Sequence, residues 1–162
     1  MNHGGAEAFK SVMRHFPTGV AVVTSLRDGE PRGVTVNAFA GVSLDPPTVL
    51  ICINREARSY LYISSSKLFC VNFLAGDQRH LAERFAGKLR ERQFEDIPYY
   101  IDISGAPVLE GTVGHLDCQV VEEHAVESHS IFIGRVVGSA SRGGSPLGYY
   151  NSAYHDFGIR ID

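Results

Sequence analysis

Short apolar runs rich in valine, isoleucine, threonine and phenylalanine recur along the chain, bounded by glycine, proline and polar turn residues. Runs of this length and composition predict β-strands. They cover residues 20–26, 32–37, 48–54, 68–74, 111–123 and 130–140. The Asp28-Gly29 pair predicts a tight hairpin turn between the first two runs. In the long run 111–123, His115 and Asp117 alternate with Leu116 and Cys118, which predicts a strand with one face in water.

Three other stretches show the three-to-four-residue spacing of apolar positions that is typical of amphipathic helices. The first covers residues 6–16 and ends before Pro17, and the second covers residues 57–64. Asp77 is predicted to cap the third helix, whose apolar stripe runs from Leu81 to Leu89. Residues 93–104 lack a regular pattern and are predicted to form either a lid or a dimer-contact loop.

The order of these elements favours an antiparallel β-barrel, closed or partly closed, with a few peripheral helices. Strands and helices do not alternate as they do in parallel doubly wound sheets. A chain of 162 residues can bury about two-thirds of its unfolded surface in a single core, and no repeat or linker divides it. We therefore expect one mainly β domain over residues 1–162.

Composition and charge argue against several classes of function. The net charge is −3, and the 15 basic residues are dispersed among 18 acidic ones, which argues against nucleic-acid binding. No apolar stretch reaches the length of a bilayer span and no secretory signal is visible, so we expect no membrane association and a cytoplasmic location. Cys52, Cys70 and Cys118 lie in apolar runs, as reduced thiols do. The seven histidines lack metal-site spacing, so no metal is expected.

The most informative segment follows the predicted hairpin, at residues 33–39. Its small side chains and the hydroxyls of Thr35 and the nearby Ser43 let backbone N–H and C=O groups approach a flat partner, and Asn37 adds an amide that donates and accepts. A planar heteroaromatic ring suits such an edge, although an ordinary strand whose polar residues cap a turn has the same composition. No Gly-x-Gly-x-x-Gly turn follows a predicted strand, so the barrel wall and its loops must hold any nucleotide.

Several segments, taken in order, resemble the FMN-binding split-barrel family, and within it the short-chain flavin reductases that supply reduced flavin to two-component monooxygenases. They are Phe16-Pro17-Thr18-Gly19-Val20, Gly33-Val34-Thr35-Val36-Asn37-Ala38-Phe39, Cys52-Ile53-Asn54-Arg55, Phe69-Cys70-Val71-Asn72-Phe73, Gly105-Ala106-Pro107-Val108-Leu109, His129-Ser130-Ile131-Phe132-Ile133-Gly134 and Pro146-Leu147-Gly148-Tyr149-Tyr150. The resemblance implies an antiparallel Greek-key split barrel, a homodimer, FMN or FAD, and NADH or NADPH as hydride donor.

The resemblance also implies a set of ligand-binding residues. The ring contacts would be Val34, Thr35, Val36, Asn37 and Ala38, with Ser43 as a second contact. Phosphate donors would come from Asn54, Arg55, Ala57, Arg58 and Ser59, where an amide, two guanidinium groups and a hydroxyl lie beside a predicted helix start. Further family positions correspond to Gln78, Arg84, Phe85, His129 and Tyr154. Helix capping for Gln78, core packing for Phe85 and tail packing for Tyr154 are equally consistent with these residue types.

His129 stands where the family has a histidine that contacts the nicotinamide nucleotide. In the family, Gly-Asp precedes that histidine, whereas Glu127-Ser128 precedes His129. The expected activity is an NAD(P)H:flavin oxidoreductase, in which no side chain acts as acid, base or nucleophile because the cofactors carry the chemistry. The alternatives are an FMN-binding electron-transfer or sensor protein that retains its flavin, and a flavin-free interaction module.

Overall fold

A computed structural model describes residues 5–86 and 91–158. In chain order the elements are α1 (Ala6–Met13), β1 (Thr18–Gly19), β2 (Ala21–Arg27), β3 (Glu30–Val36), β4 (Phe39–Leu44), β5 (Pro47–Asn54), α2 (Arg58–Ser66), β6 (Leu68–Phe73), α3 (Arg79–Ala86), β7 (Tyr99–Ile101), β8 (Pro107–Leu109), β9 (Gly114–Val126), β10 (His129–Ser141), β11 (Leu147–Tyr150) and β12 (Ala153–Asp156).

Seven strands form one antiparallel sheet in the order β3-β2-β6-β9-β10-β5-β4. The two outermost strands, β3 and β4, are consecutive in the chain and are joined only by Asn37 and Ala38. The sheet must therefore curl until its two edges become covalent neighbours, which gives a barrel with a split along that junction. This confirms the predicted mainly β, antiparallel split-barrel class.

The barrel interior is filled by the inward-facing side chains of the sheet. Phe69, Phe132, Ile51 and Val23 are fully buried there, and burial of each such side chain contributes about 1.5–3 kcal/mol. Gly134 makes room for the Phe69 ring, because a Cβ at that position would lie 2.4 Å from the ring edge. Ile63 of α2 joins this core, so the helix covers one part of the barrel.

A second apolar layer lies outside the barrel, between the sheet and α3. Leu81, Ala82 and Phe85 of α3 pack against Val22 and Leu74 there. Phe85 needs a glycine opposite it, because a Cβ at Gly33 would lie 2.6 Å from the ring. The three-stranded sheet β1-β11-β12 lies beside this layer and brings the end of the described chain back to its beginning.

The predicted hairpin is present, with φ of 52° at Asp28 and 78° at Gly29. Two predicted boundaries are wrong. Helix α1 ends at Met13 rather than Phe16, and α3 begins at Arg79, so Asp77 is not its cap. Leu89 lies outside the described residues. Residues 93–104 are not wholly irregular, because β7 pairs with β8.

The prediction of a wet face for the long strand β9 is wrong at its start. His115 and Asp117 are 5% and 0% exposed because the segment before β8 covers them. His115 Nε2 lies 3.0 Å from an Asp102 carboxylate oxygen, and the Asp117 carboxylate accepts hydrogen bonds from the Ser104 N–H (2.6 Å) and hydroxyl. Burial raises the pKa of Asp117, although the Ser104 hydrogen bonds oppose that shift.

Cysteine burial agrees with the prediction of unpaired thiols. Cys70 and Cys118 are buried and Cys52 is half-buried, and all three are free. Burial raises the pKa of Cys118 to about 12 and also raises that of Cys70, so neither is a reactive thiolate. Of the helices described, none has the length and apolar character needed to span a bilayer.

Candidate functional site

The junction between β3 and β4 carries the predicted ring-binding segment. Val34 and Val36 pack against the barrel core, while the Thr35 hydroxyl points to the other side and donates to the Ala82 carbonyl (2.7 Å). Asn37 and Ala38 are exposed. The structure thus places three of the five predicted ring residues in the wall and leaves the last two open to a ligand.

The local backbone explains why the junction stays open. The Phe39 N–H donates to the Asn37 carbonyl, and the Cys52 N–H donates to the Ala38 carbonyl, both at 3.1 Å. These contacts fix the bend from β3 into β4, and the strands on either side are sheet edges. Edge strands present unpaired N–H and C=O groups, which a flat polar ring can use.

Two cavities of about 220 Å³ each adjoin Asn37. We call the first the inner cavity, and its lining is Phe16, Pro17, Thr18, Gly19, Ala21, Val36, Asn37, Phe39 and Phe73. We call the second the helix cavity, and its lining is Phe9, Lys10, Met13, Arg14, Phe16, Asn37, Tyr149, Tyr150, Asn151 and Ser152. Both contain Phe16 and Asn37. The inner cavity has mainly apolar walls with a few polar groups, as pockets for aromatic ligands do.

The start of α2 forms the second part of the site. The Asn54 side-chain oxygen accepts from the Glu56 N–H (2.9 Å), which shapes the turn that leads into the helix. Ala57 occupies the N-cap position, where its methyl group cannot accept a hydrogen bond from the first turn. The first turn also lacks an acidic side chain, so its N–H groups and positive dipole end are left for another partner.

Ser59 lies in that first turn and is only 3% exposed. Its Oγ has no hydrogen-bond partner among the described residues. A buried hydroxyl without a partner is costly, so a ligand that accepts a hydrogen bond from it is favoured. Arg55 stands beside this turn with its guanidinium 6.0 Å from the centre of the Tyr60 ring. An uncapped helix start, an unpaired hydroxyl and a neighbouring cation suit a phosphate group.

His129 borders the same turn. It is opposite Asn54 in the β5–β10 ladder, and the Arg55 N–H donates to the Ser128 carbonyl (2.9 Å). The Ser128 Oγ lies 2.9 Å from His129 Nδ1. The structure therefore brings His129 close to the α2 start, at the level of Asn54, whereas β4 begins at Phe39 opposite Ile51, three residues earlier along β5.

Three other predicted site residues have partners within the fold. The Arg84 guanidinium donates to the carbonyls of Gln93 (2.7 Å), Arg92 (2.9 Å) and Glu95 (2.7 Å). Gln78 accepts from the Ala75 N–H and donates to the Glu110 carbonyl, and Phe85 is core. A ligand-binding role for Gln78, Arg84 and Phe85 stays a prediction, and the structure gives each a structural role.

Ser43 and Tyr154 lie away from the junction. Ser43 is about 13 Å along β4 from Phe39, and its hydroxyl contacts the backbone of Asp45 in the following turn. Tyr154 packs beside Tyr149, with the Arg79 guanidinium 5.6 Å from its ring centre. Burial raises the pKa of Tyr154. Neither residue lines the inner cavity or the helix cavity.

Ser43 does line one of two further cavities, each of about 460 Å³, which meet at Leu116 and Ser139. One of them shares Phe39 with the inner cavity, and the other shares Gly19 and Phe73. Neither lining includes Asn37 or Ala38. No group of three metal-ligating side chains is found in residues 5–86 and 91–158.

Four residues that line the inner cavity were not predicted from the sequence as site residues: Phe16, Thr18, Phe39 and Phe73. The segment that contains Phe16 and Thr18 was part of the family resemblance, but only the fold shows that it faces Asn37. The Phe39 and Phe73 rings meet edge to face at 5.1 Å and form one wall of the inner cavity. Because β1 and β6 are distant from β3 along the chain, residue spacing alone could not reveal this wall.

Comparisons with known proteins found relatives in sequence and in fold. A family model described as "Flavin reductase like domain" matches residues 13–158. The chain is 36% identical over 147 residues to the reductase subunit HsaB of a flavin-dependent monooxygenase from Rhodococcus jostii, covering 90% of this chain and 75% of that protein. It is 35% identical over 152 residues to the FMN reductase (NADH) SmoA from Agrobacterium fabrum, covering 94% and 86%.

The fold is also similar to solved structures. The NADH:FAD oxidoreductase SgcE6 from Streptomyces globisporus superposes with a TM-score of 0.90 and 31% identity, covering 98% of this chain and 97% of that one. Another structure of SgcE6 was solved in complex with NAD and FAD fragments.

Proposed function

The chain belongs to the flavin reductase like domain family, and we propose on that premise that it oxidises NADH or NADPH and reduces FMN or FAD. Its relatives support NADH as the donor, since SmoA is named an NADH-dependent FMN reductase and SgcE6 an NADH:FAD oxidoreductase. HsaB is named the reductase subunit of a monooxygenase, which supports delivery of the reduced flavin to an oxygenase partner. None of these three names describes an electron-transfer or sensor protein that retains its flavin.

The main structural support for this proposal is the unpaired Ser59 hydroxyl at the uncapped start of α2. Flavin nucleotides carry a phosphate on a chain attached to the ring, so they need an anion site beside a site for a flat ring. The described fold supports both, because α2 follows β5 and contacts β3, and Asn37 comes directly after β3. The Ser59 hydroxyl and the first N–H groups of α2 hold the phosphate, with Arg55 and Arg58 as cations at its edge.

The residues at the β3–β4 junction bind and orient the ring. Backbone groups of Asn37 and Ala38 satisfy its polar edge, while Val36 and Phe39 exclude water from its apolar part. A flavin bound there supplies the hydride acceptor, so the protein needs to align two substrates rather than provide an acid or base. His129 stands beside the phosphate turn and positions the nicotinamide nucleotide.

A homodimer is supported by apolar surface that the described fold leaves uncovered. Leu50 and Cys52 of β5 and Ile131 and Ile133 of β10 alternate with core residues and remain partly exposed. Leu44, at the end of the edge strand β4, is also 94% exposed. An interface between two copies would cover this patch. The purified protein is expected to have the mass of a dimer by light scattering, and Ile133→Lys to give a monomer; a monomeric native protein at micromolar concentration would contradict the dimer.

We place the protein in the cytoplasm, which is supported by three free cysteines and by a reaction that consumes NADH or NADPH.

Steady-state kinetics test the activity. NADH and NADPH oxidation is followed with the protein as purified and with increasing FMN or FAD. A reductase that uses flavin as a substrate shows a rate that saturates with added flavin. A protein that retains its flavin is purified yellow and shows no such dependence. If neither nicotinamide is oxidised faster than in a protein-free control, the proposed reaction is wrong.

A further inference from the structure

Phe16 has an exposed ring that the surrounding residues do not cover. It is 64% exposed, although phenylalanine is normally buried, and it lines both the inner cavity and the helix cavity. Asn37, the predicted ring contact, lines the same two cavities. The Phe16 N–H donates to the Met13 carbonyl (3.1 Å), and Pro17 follows, so the ring stands on a restrained backbone rather than on a free tail.

Thr18 supplies a second observation at the inner cavity. Its Oγ1 is inaccessible to water and lacks a hydrogen-bond partner within the part of the chain that the structure describes. Strand β1 fixes the position of Thr18, which is opposite Tyr149 in the pairing with β11. A hydroxyl held without a partner beside a cavity can donate to a ligand after rotation about a single side-chain bond.

We propose that Phe16 and Thr18 form a second wall of the flavin ring site, opposite the β3–β4 junction. The Phe16 ring packs against the ring system of the flavin, and the Thr18 hydroxyl donates a hydrogen bond to a polar atom at its edge. This inference rests on the proposed function and adds two residues to the site. The inner cavity supports it, because its lining contains both Phe16 and Thr18 and the junction residues Val36, Asn37 and Phe39.

The ring and phosphate contacts predict different ligand dependence. Riboflavin has the same ring as FMN but no phosphate. Loss of a ring contact should therefore weaken the binding of FMN and of riboflavin by the same factor. Loss of a phosphate contact should weaken only the binding of FMN. Aromatic packing and one hydrogen bond are each expected to change the dissociation constant by about three- to tenfold.

The experiment titrates FMN and riboflavin, without nicotinamide, into the native protein and into Phe16→Leu, Thr18→Val and Ser59→Ala. Flavin fluorescence reports binding, and thermal unfolding is recorded for each ligand-free variant. Phe157→Leu is the matched control, because Phe157 is an exposed phenylalanine outside both cavities. We expect Phe16→Leu and Thr18→Val to weaken both ligands about equally, and Ser59→Ala to weaken FMN alone. The Phe157→Leu variant should bind both like the native protein.

Thermal unfolding separates binding from structure. Removal of an unpaired buried hydroxyl should leave the melting temperature of Thr18→Val unchanged or raise it. The inference is overturned if Thr18→Val and Phe16→Leu bind riboflavin as tightly as the native protein, or if their affinity falls only together with a lowered melting temperature. If the native protein binds neither FMN nor riboflavin, the proposed function fails and this inference fails with it.

Discussion

The sharpest prediction concerns Ser59→Ala, because one hydroxyl is expected to act oppositely on stability and on binding. Ser59 Oγ is buried and has no partner in the described part of the protein. An unpaired buried hydroxyl costs about 1–3 kcal/mol, and alanine also has the higher helix propensity, by a few tenths of a kcal/mol. The small void left by the missing oxygen offsets part of this gain. The ligand-free variant should therefore be as stable as the native protein or more stable, by up to about 2 kcal/mol.

Binding should change in the other direction. A hydrogen bond to a charged group contributes about 1.5–3 kcal/mol, which is about a 10- to 150-fold change in the dissociation constant. FMN titration measures this loss, and urea unfolding of the ligand-free protein measures the stability. For a chain of this size, 1 kcal/mol corresponds to a shift in melting temperature of about 2–4 °C.

Ser65→Ala is the matched control on the same helix. Ser65 lies near the end of α2, away from its first turn. Its hydroxyl is exposed and donates to the Leu61 carbonyl (2.6 Å). This variant should bind FMN with native affinity. If Ser59→Ala instead lowers stability and leaves the FMN affinity unchanged, Ser59 is a structural residue and the assignment of the phosphate site is wrong.

Four further changes test other parts of the account. Asn37→Asp removes a donor and adds a negative charge at the junction, so FMN affinity should fall about tenfold; unchanged affinity would remove Asn37 from the site. His129→Ala should raise the Michaelis constant for NADH about fivefold and that for flavin much less, and the reverse pattern would refute its assignment. Arg84→Met should lower the free energy of unfolding by about 2 kcal/mol through lost carbonyl contacts, with FMN affinity unchanged, whereas weakened FMN binding at native stability would restore the predicted ligand role. Asp117 binds its proton more tightly in the native protein than in the unfolded chain, so its contribution to stability should fall as pH rises from about 3.8 through its raised pKa. Relative to Asp117→Asn, the native protein should lose stability over that pH range, and a constant difference in urea unfolding would contradict the shift.

The barrel could be predicted because each strand has a recognisable local sequence pattern. The turn at Asp28 and Gly29 needs the left-handed backbone that Asp and Gly tolerate, and the β-branched runs on either side pair through their backbone N–H and C=O groups. The segment that packs on the second face of a strand cannot be predicted from that strand's own sequence. His115 and Asp117 look like a wet face by alternation, and only the return of residues 102–104 from elsewhere buries them.

The candidate site also contains residues that the sequence indicates and residues that only the fold brings together. Asn54 to Ser59 could be proposed as a phosphate site because a turn, two arginines and a hydroxyl lie together in the chain at a helix start. Arg84 shows the limit of such reasoning, since a guanidinium that binds phosphate and one that binds backbone carbonyls have the same sequence signature. Phe16 and Thr18 reach Asn37 only through the pairing of β1 with β11 and of β2 with β3, which residue spacing does not specify.

A crystal structure of the protein with FMN is the decisive experiment, because it locates both the phosphate and the ring. We predict density for the phosphate within hydrogen-bond distance of Ser59 Oγ and the first N–H groups of α2, with the ring lying against Asn37 and Ala38. A ring found instead in the cavities beside Leu116 and Ser139, or a phosphate held away from α2, would contradict the account.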